Sequence, residues 1–128
     1  MIKHAAVWID HHDAKVFHVD DARFDPTKIE PHHHVQRRST VTAEHAHPTD
    51  AQHFYEAVAK ALGDVEEILI VGPGSAKLEL IKHVHKHDAA LAPRIVGVET
   101  VDHPTDGQLT AFAHHYFHGK DRLLGTVP

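Results

Sequence analysis

The chain contains no cysteine, and that single absence removes disulfides, zinc–thiolate centres and thiol nucleophiles together. Any metal would have to sit on imidazole and carboxylate. Long apolar runs are also missing: stretches such as Ile68 to Val71 fall far short of the roughly 20 residues that a membrane span needs. The opening Met1-Ile2-Lys3-His4 has no signal-peptide core, so a cytoplasmic protein without membrane contact is expected. A basic excess is lacking too. The formal net charge is −5 and the pI near 6.4, which argues against strong, pH-independent nucleic-acid affinity, because phosphate binding rests mainly on Lys and Arg. Any RNA contact must be local.

What the chain has in excess is histidine, 17 in 128 residues, spread from His4 to His118 rather than gathered in a terminal block. Unperturbed imidazole titrates near pH 6.5, so the surface charge swings strongly over one or two pH units. At 14.3 kDa and 41% hydrophobic residues the sequence fits one domain, residues 1–128, around one core.

The pattern along the chain is informative. His4 to Asp10 and Ala14 to Val19 flank the polar break His11-His12-Asp13 and read as a β-hairpin. Residues 20–34 read as a loop or short strand, and Val35 to Ala46 as a third strand. From Thr49 the period changes, with Phe54, Tyr55, Val58, Ala61 and Leu62 forming a helical stripe stopped by Gly63. Glu67 to Gly72 reads as a central strand buried on both faces. Ser75 can cap a second helix with Leu78, Ile81 and Val84 inward, Arg94 to Val98 forms another buried strand, and a third helix from Thr105 turns Leu109, Phe112, Ala113 and Tyr116 inward. The echo His47-Pro48-Thr49-Asp50-Ala51-Gln52 and His103-Pro104-Thr105-Asp106-Gly107-Gln108 places Thr three residues before Gln, the spacing of a capping box. The expected fold is a single α/β domain of the ribonuclease H-like kind: opening antiparallel strands, then alternating helices and strands, giving a mixed sheet with helices on its faces.

Four constellations could carry chemistry. Gly72-Pro73-Gly74-Ser75-Ala76-Lys77 turns from a strand into a helix, where backbone amides and Lys77 could hold a phosphate or carboxylate; it is neither a Walker A nor a dinucleotide motif, and a plain tight turn with Ser75 as cap explains it as well. His32 and His34 share one face of an extended segment, as do His45 and His47, so a hairpin could gather four imidazoles for zinc, nickel or copper; solvated loop histidines are the simpler reading. Arg37 and Arg38 between them form a small cationic patch that could touch RNA phosphate. His83 and His87, and likewise His114 and His118, lie four apart on helices, so each pair could chelate adventitious metal; a polar outer face, with Lys82 and Lys86 beside the first pair, is the simpler reading. Asp10 ends the first strand where ribonuclease H-like nucleases hold metal, yet the next strand ends in Gly72-Pro73-Gly74 without an acid, so Asp10 is read as a turn residue. With Ser39 and Ser75 the only serines, no G-x-S-x-G nucleophile elbow exists.

Ala6-Val7-Trp8-Ile9-Asp10 with Ala14 to Phe17, then Glu67 to Gly74 with Lys77, Arg94 to Val98 and the Asp106-Gly107 helix start together resemble the middle domain of eukaryotic and archaeal peptide release factors and of Pelota. They also resemble the small bacterial stand-alone "translational machinery" proteins built on that domain. Release factors carry a Gly-Gly-Gln tripeptide after the opening hairpin, whereas residues 20–47 here have no glycine, and Gly107-Gln108 falls at a helix start. The resemblance therefore implies a non-enzymatic accessory protein of translation that partners the ribosome or RNA, like Pelota, and transfers no catalytic residue. Alternatives are a histidine-rich transition-metal binder and a degenerate hydrolase or nuclease. An open sheet edge also makes a homo-oligomer an expectation.

Overall fold

The computed structural model describes residues 3–20, 27–30 and 48–123. Strands β1 (His4–Ile9) and β2 (Ala14–His18) form the opening hairpin, with Val7 opposite Val16 and Trp8 opposite Lys15. A short β3 (Thr27–Ile29) pairs antiparallel with β2. Helix α1 (Pro48–Leu62) leads to β4 (Glu67–Gly72), α2 (Ala76–His87), a single 3-10 turn at Ala92–Arg94, β5 (Ile95–Thr100) and α3 (Asp106–Leu123). The sheet has five strands in the order β3-β2-β1-β4-β5, antiparallel at the hairpin and parallel from β1 through β5. This is the mixed open sheet the sequence predicts.

The central strands β1 and β4 lack a polar face because both faces of the sheet are covered there. On one, Ala5, Val7, Ile9, Val16, Ile68 and Ile70 pack under Phe54, Val58 and Leu62 of α1 and Leu80 and Val84 of α2. On the other, Ala6, Trp8, Phe17, Leu69 and Val71 meet Leu109, Ala113 and Phe117 of α3. Alternate side chains of β1 and β4 thus feed two separate cores, which is why both strands read as continuous apolar runs. Gly63 ends α1 in the left-handed region at φ 64, its amide donating to the Lys60 carbonyl at 3.2 Å.

Several expectations need correcting. Leu78 is 53% exposed, and α2 instead buries Ala76, Lys77, Leu80, His83 and Val84, a phase set by Ala76 and Leu80 lying against the sheet. Phe112 is exposed on α3, while Phe117, one turn beyond Ala113, takes the inward place. β5 is an edge strand: only its start packs inward, and Val98 is exposed. Ser75 stands at the start of α2 but makes no side-chain cap; its carbonyl accepts from the amides of Leu78 and Glu79. The reading of Val35 to Ala46 as a strand lies outside the described residues. No helix among those described is long and apolar enough to cross a membrane.

Candidate functional site

Because β1, β4 and β5 run parallel, their carboxyl ends meet at one edge of the sheet, the usual place for a ligand site in an open α/β fold. Asp10 follows β1 there. Its Oδ1 accepts from the backbone amides of His12 (2.8 Å) and Asp13 (2.9 Å), so it is the turn residue expected. Its Oδ2 faces the Nε2 of His103 at 3.4 Å, and the His103 Nδ1 lies 2.8 Å from Oδ1 of Asp102, just past β5. The indole of Trp8 sits 5.2 Å from the His103 ring and donates to the Asp102 carbonyl at 2.8 Å, tying β1 to the segment after β5. The hydrogen bond to Asp102, with Asp10 on the other nitrogen, holds the His103 imidazole above its ordinary value against a smaller desolvation effect.

Two adjoining clefts open at this edge and share His103, Pro104 and Leu109. The larger, about 460 Å³, is walled by Val101, Gln108 and Phe112; the smaller, about 230 Å³, is walled by Trp8, Asp10 and His12. Charges around them are matched. Lys15 binds Asp106 at 2.8 Å, and Lys28 lies 3.5 Å from both Asp13 and Glu30. His103 thus lies between two strand-end carboxylates, and β4 contributes only Gly72-Pro73-Gly74. Chemically, the arrangement offers a titratable ring and an apolar wall for a polar ligand.

The Gly72–Lys77 turn lies on the same edge. A Cβ at Gly72 would fall 2.1 Å from the Ile9 carbonyl oxygen, so glycine here answers to the close approach of β1. Gly74 has open space above it. Lys77 is 8% exposed and its ammonium donates to the Gly74 carbonyl at 2.6 Å, latching the turn from within. Beyond it, Glu79 accepts from the Tyr55 hydroxyl at 2.9 Å and pairs with His11 at 3.1 Å. Burial works to raise the Glu79 carboxyl, and the bonds from His11 and Tyr55 outweigh it and hold the group below its usual value. Burial and the same Glu79 bond push the Tyr55 phenol upward.

Arg37, Arg38, His32, His34, His45 and His47 lie outside the described residues. On α2, His85 and His87 are exposed as expected, but His83 is not: it is buried against Tyr55, within reach of Glu56 and Asp88. Sequence reasoning missed His103 and placed His83 on a polar outer face. The first stood inside a capping box read as punctuation, although an Asp-His pair directly after a parallel strand was a signal. The second shares its phase with Leu80 and Val84, not with Lys82 and Lys86.

No family model matches the chain, and no curated protein matches its sequence. Solved structures do. Pelota from Archaeoglobus fulgidus superposes with a TM-score of 0.55 at 15% identity, covering 96% of this chain and 35% of that one. Pelota from Thermoplasma acidophilum superposes with a TM-score of 0.52 at 19% identity, covering 88% of this chain and 32% of that one. This chain spans about a third of the length of those proteins and has the fold of that third, in keeping with the resemblance to the middle domain of Pelota and release factors.

Proposed function

We propose that this protein is a non-enzymatic accessory factor of translation that binds the ribosome or another structured RNA. The observation that supports the reading most is the superposition on Pelota across 96% of the chain. The sequence adds that the loop expected to carry Gly-Gly-Gln in a release factor has no glycine. Contact would be made by Arg37 and Arg38, strengthened when His32, His34, His45 and His47 are protonated. The turn Gly72, Gly74, Ser75 and Lys77 is a second anion contact. There the backbone at the start of α2 would meet phosphate, since the Lys77 ammonium is already committed to the Gly74 carbonyl. The exposed Lys82 and Lys86 on α2 add positive charge nearby.

The test is co-sedimentation of the purified protein with ribosomes at low salt and a pH of about 6.5. Binding should weaken as salt rises and as pH is raised through the imidazole range, and Arg37→Ala with Arg38→Ala should flatten the salt dependence. A protein that stays in the supernatant under every one of these conditions defeats the reading.

A further inference from the structure

We propose that Glu56, His83 and Asp88 form a binding site for a divalent first-row transition-metal ion, zinc being the best match, in the seam between α1 and the end of α2. His83 is the anchor. It is 9% exposed, and its Nε2 points at two carboxylates, 3.2 Å from Oε1 of Glu56 and 3.8 Å from Oδ2 of Asp88. One ligand atom from each of the three residues lies within 4.8 Å of the other two. Tetrahedral zinc with bonds near 2.0–2.1 Å spaces its ligand atoms by about 3.3 Å, so two of the three edges are already close to the required size.

A second observation marks the site independently of this spacing. Oδ2 of Asp88 is buried and has no hydrogen-bond partner, which is costly for a carboxylate oxygen. Asp88 also caps the carboxyl end of α2, its amide donating to the Val84 carbonyl, so its charge adds to the negative end of the helix dipole. A buried, unbonded oxygen at that end, beside a second carboxylate, is a place where a cation relieves repulsion rather than adding burial cost. One imidazole and two carboxylates suit zinc, cobalt(II) or manganese(II) better than a soft ion such as copper(I). His87, one turn beyond His83, has its ring 4.7 Å from the His83 ring, and a water would fill the fourth position. The site is built from one residue of α1, one of α2 and the residue that caps α2, and owes nothing to His32, His34, His45 and His47.

The test separates this site from that histidine-rich stretch. In the full chain, His32, His34, His45 and His47 are all replaced by Gln, and zinc is titrated against a chromophoric chelator, with cobalt(II) absorption as a report on coordination number. One tight equivalent should remain, with a four- or five-coordinate cobalt spectrum. Adding Asp88→Asn or Glu56→Gln should weaken that equivalent by about a hundredfold or more, since loss of a supporting residue outside the ligand shell already costs 10–100-fold. Both changes are isosteric at partly exposed side chains, and far-UV circular dichroism checks the fold. Zinc should raise the melting temperature of the parent but not of either variant. Failure of the four-Gln background to retain a tight equivalent, or retention of full affinity by Asp88→Asn and Glu56→Gln, overturns the proposal.

Discussion

Replacing Gly72 by alanine probes how β1 and β4 meet, and its cost can be worked from the geometry. The new methyl would stand 2.1 Å from the Ile9 carbonyl oxygen, where ordinary contact begins near 3.4 Å. That oxygen is backbone, held in a strand that is hydrogen-bonded on both sides, so no side chain can swing away to make room. The strand ends must instead part by about 1 Å. Overpacking strain of this kind costs roughly 1–3 kcal/mol, and each buried backbone bond pulled apart adds about 1 kcal/mol or more, so a loss on the order of 3–5 kcal/mol is expected. For a domain whose whole stability is about 5–15 kcal/mol this is a large fraction. Gly97→Ala is the internal control. Its methyl would meet the Tyr116 hydroxyl, also at 2.1 Å, but that is the far end of a partly exposed side chain rather than backbone, and moving it gives up a hydrogen bond of 3.2 Å to the Val96 carbonyl, worth about 1 kcal/mol. Urea unfolding followed by the fluorescence of Trp8, the only tryptophan, reads both variants. A Gly72→Ala unfolding free energy within about 1 kcal/mol of the parent, or one no lower than that of Gly97→Ala, would refute the reasoning.

Three further outcomes are expected. The capping box at α3 is reciprocal, with Thr105 accepting from the Gln108 amide at 3.1 Å and Gln108 accepting from the Thr105 amide at 2.9 Å, so Thr105→Ala should cost about 1 kcal/mol in thermal denaturation. Because the folded Glu79 carboxyl titrates below its unfolded value of 4.5, the stability it contributes is present above pH 4.5 and is lost as pH falls through its lower folded value; Glu79→Gln should flatten that acid limb in stability measured against pH. His103 works in the opposite sense. Its folded value is raised, so its contribution is present below pH 6.5 and fades as pH rises through the folded value; His103→Gln should remove that neutral-range slope, which is small because the ring is exposed.

The elements that declared themselves in the sequence are those whose burial pattern is local. The hairpin of β1 and β2, the stripe Phe54–Val58–Leu62 and the apolar run of β4 each follow from periodicity within a dozen residues. Where two phases compete, periodicity alone gave the wrong one: Leu78 and Leu80 both offer a leucine to the core, and the choice is made by the sheet beneath α2. The same holds for Phe112 against Phe117. The segment Ile95-Val96-Gly97-Val98 reads as interior, and only the strand order shows it to be an edge. The site was less legible still. Asp10 and His103 are 93 positions apart, and Glu56 and His83 are 27 apart, so neither pairing leaves a trace in spacing. Gly72 was visible as a turn glycine, but that the Ile9 carbonyl demands it is a fact of strand packing.

The Trp8 indole bond to the Asp102 carbonyl spans 94 positions of chain, against 63 for the Lys3 amide and the Glu66 carboxylate at the opposite end of the β1–β4 pair. Ring closure of that length is entropically disfavoured until intervening segments have condensed. Trp8 should therefore acquire its native surroundings late in refolding, after the hairpin it belongs to has formed. In stopped-flow experiments its emission change would lag the recovery of secondary structure, making this residue a clock for the final assembly step.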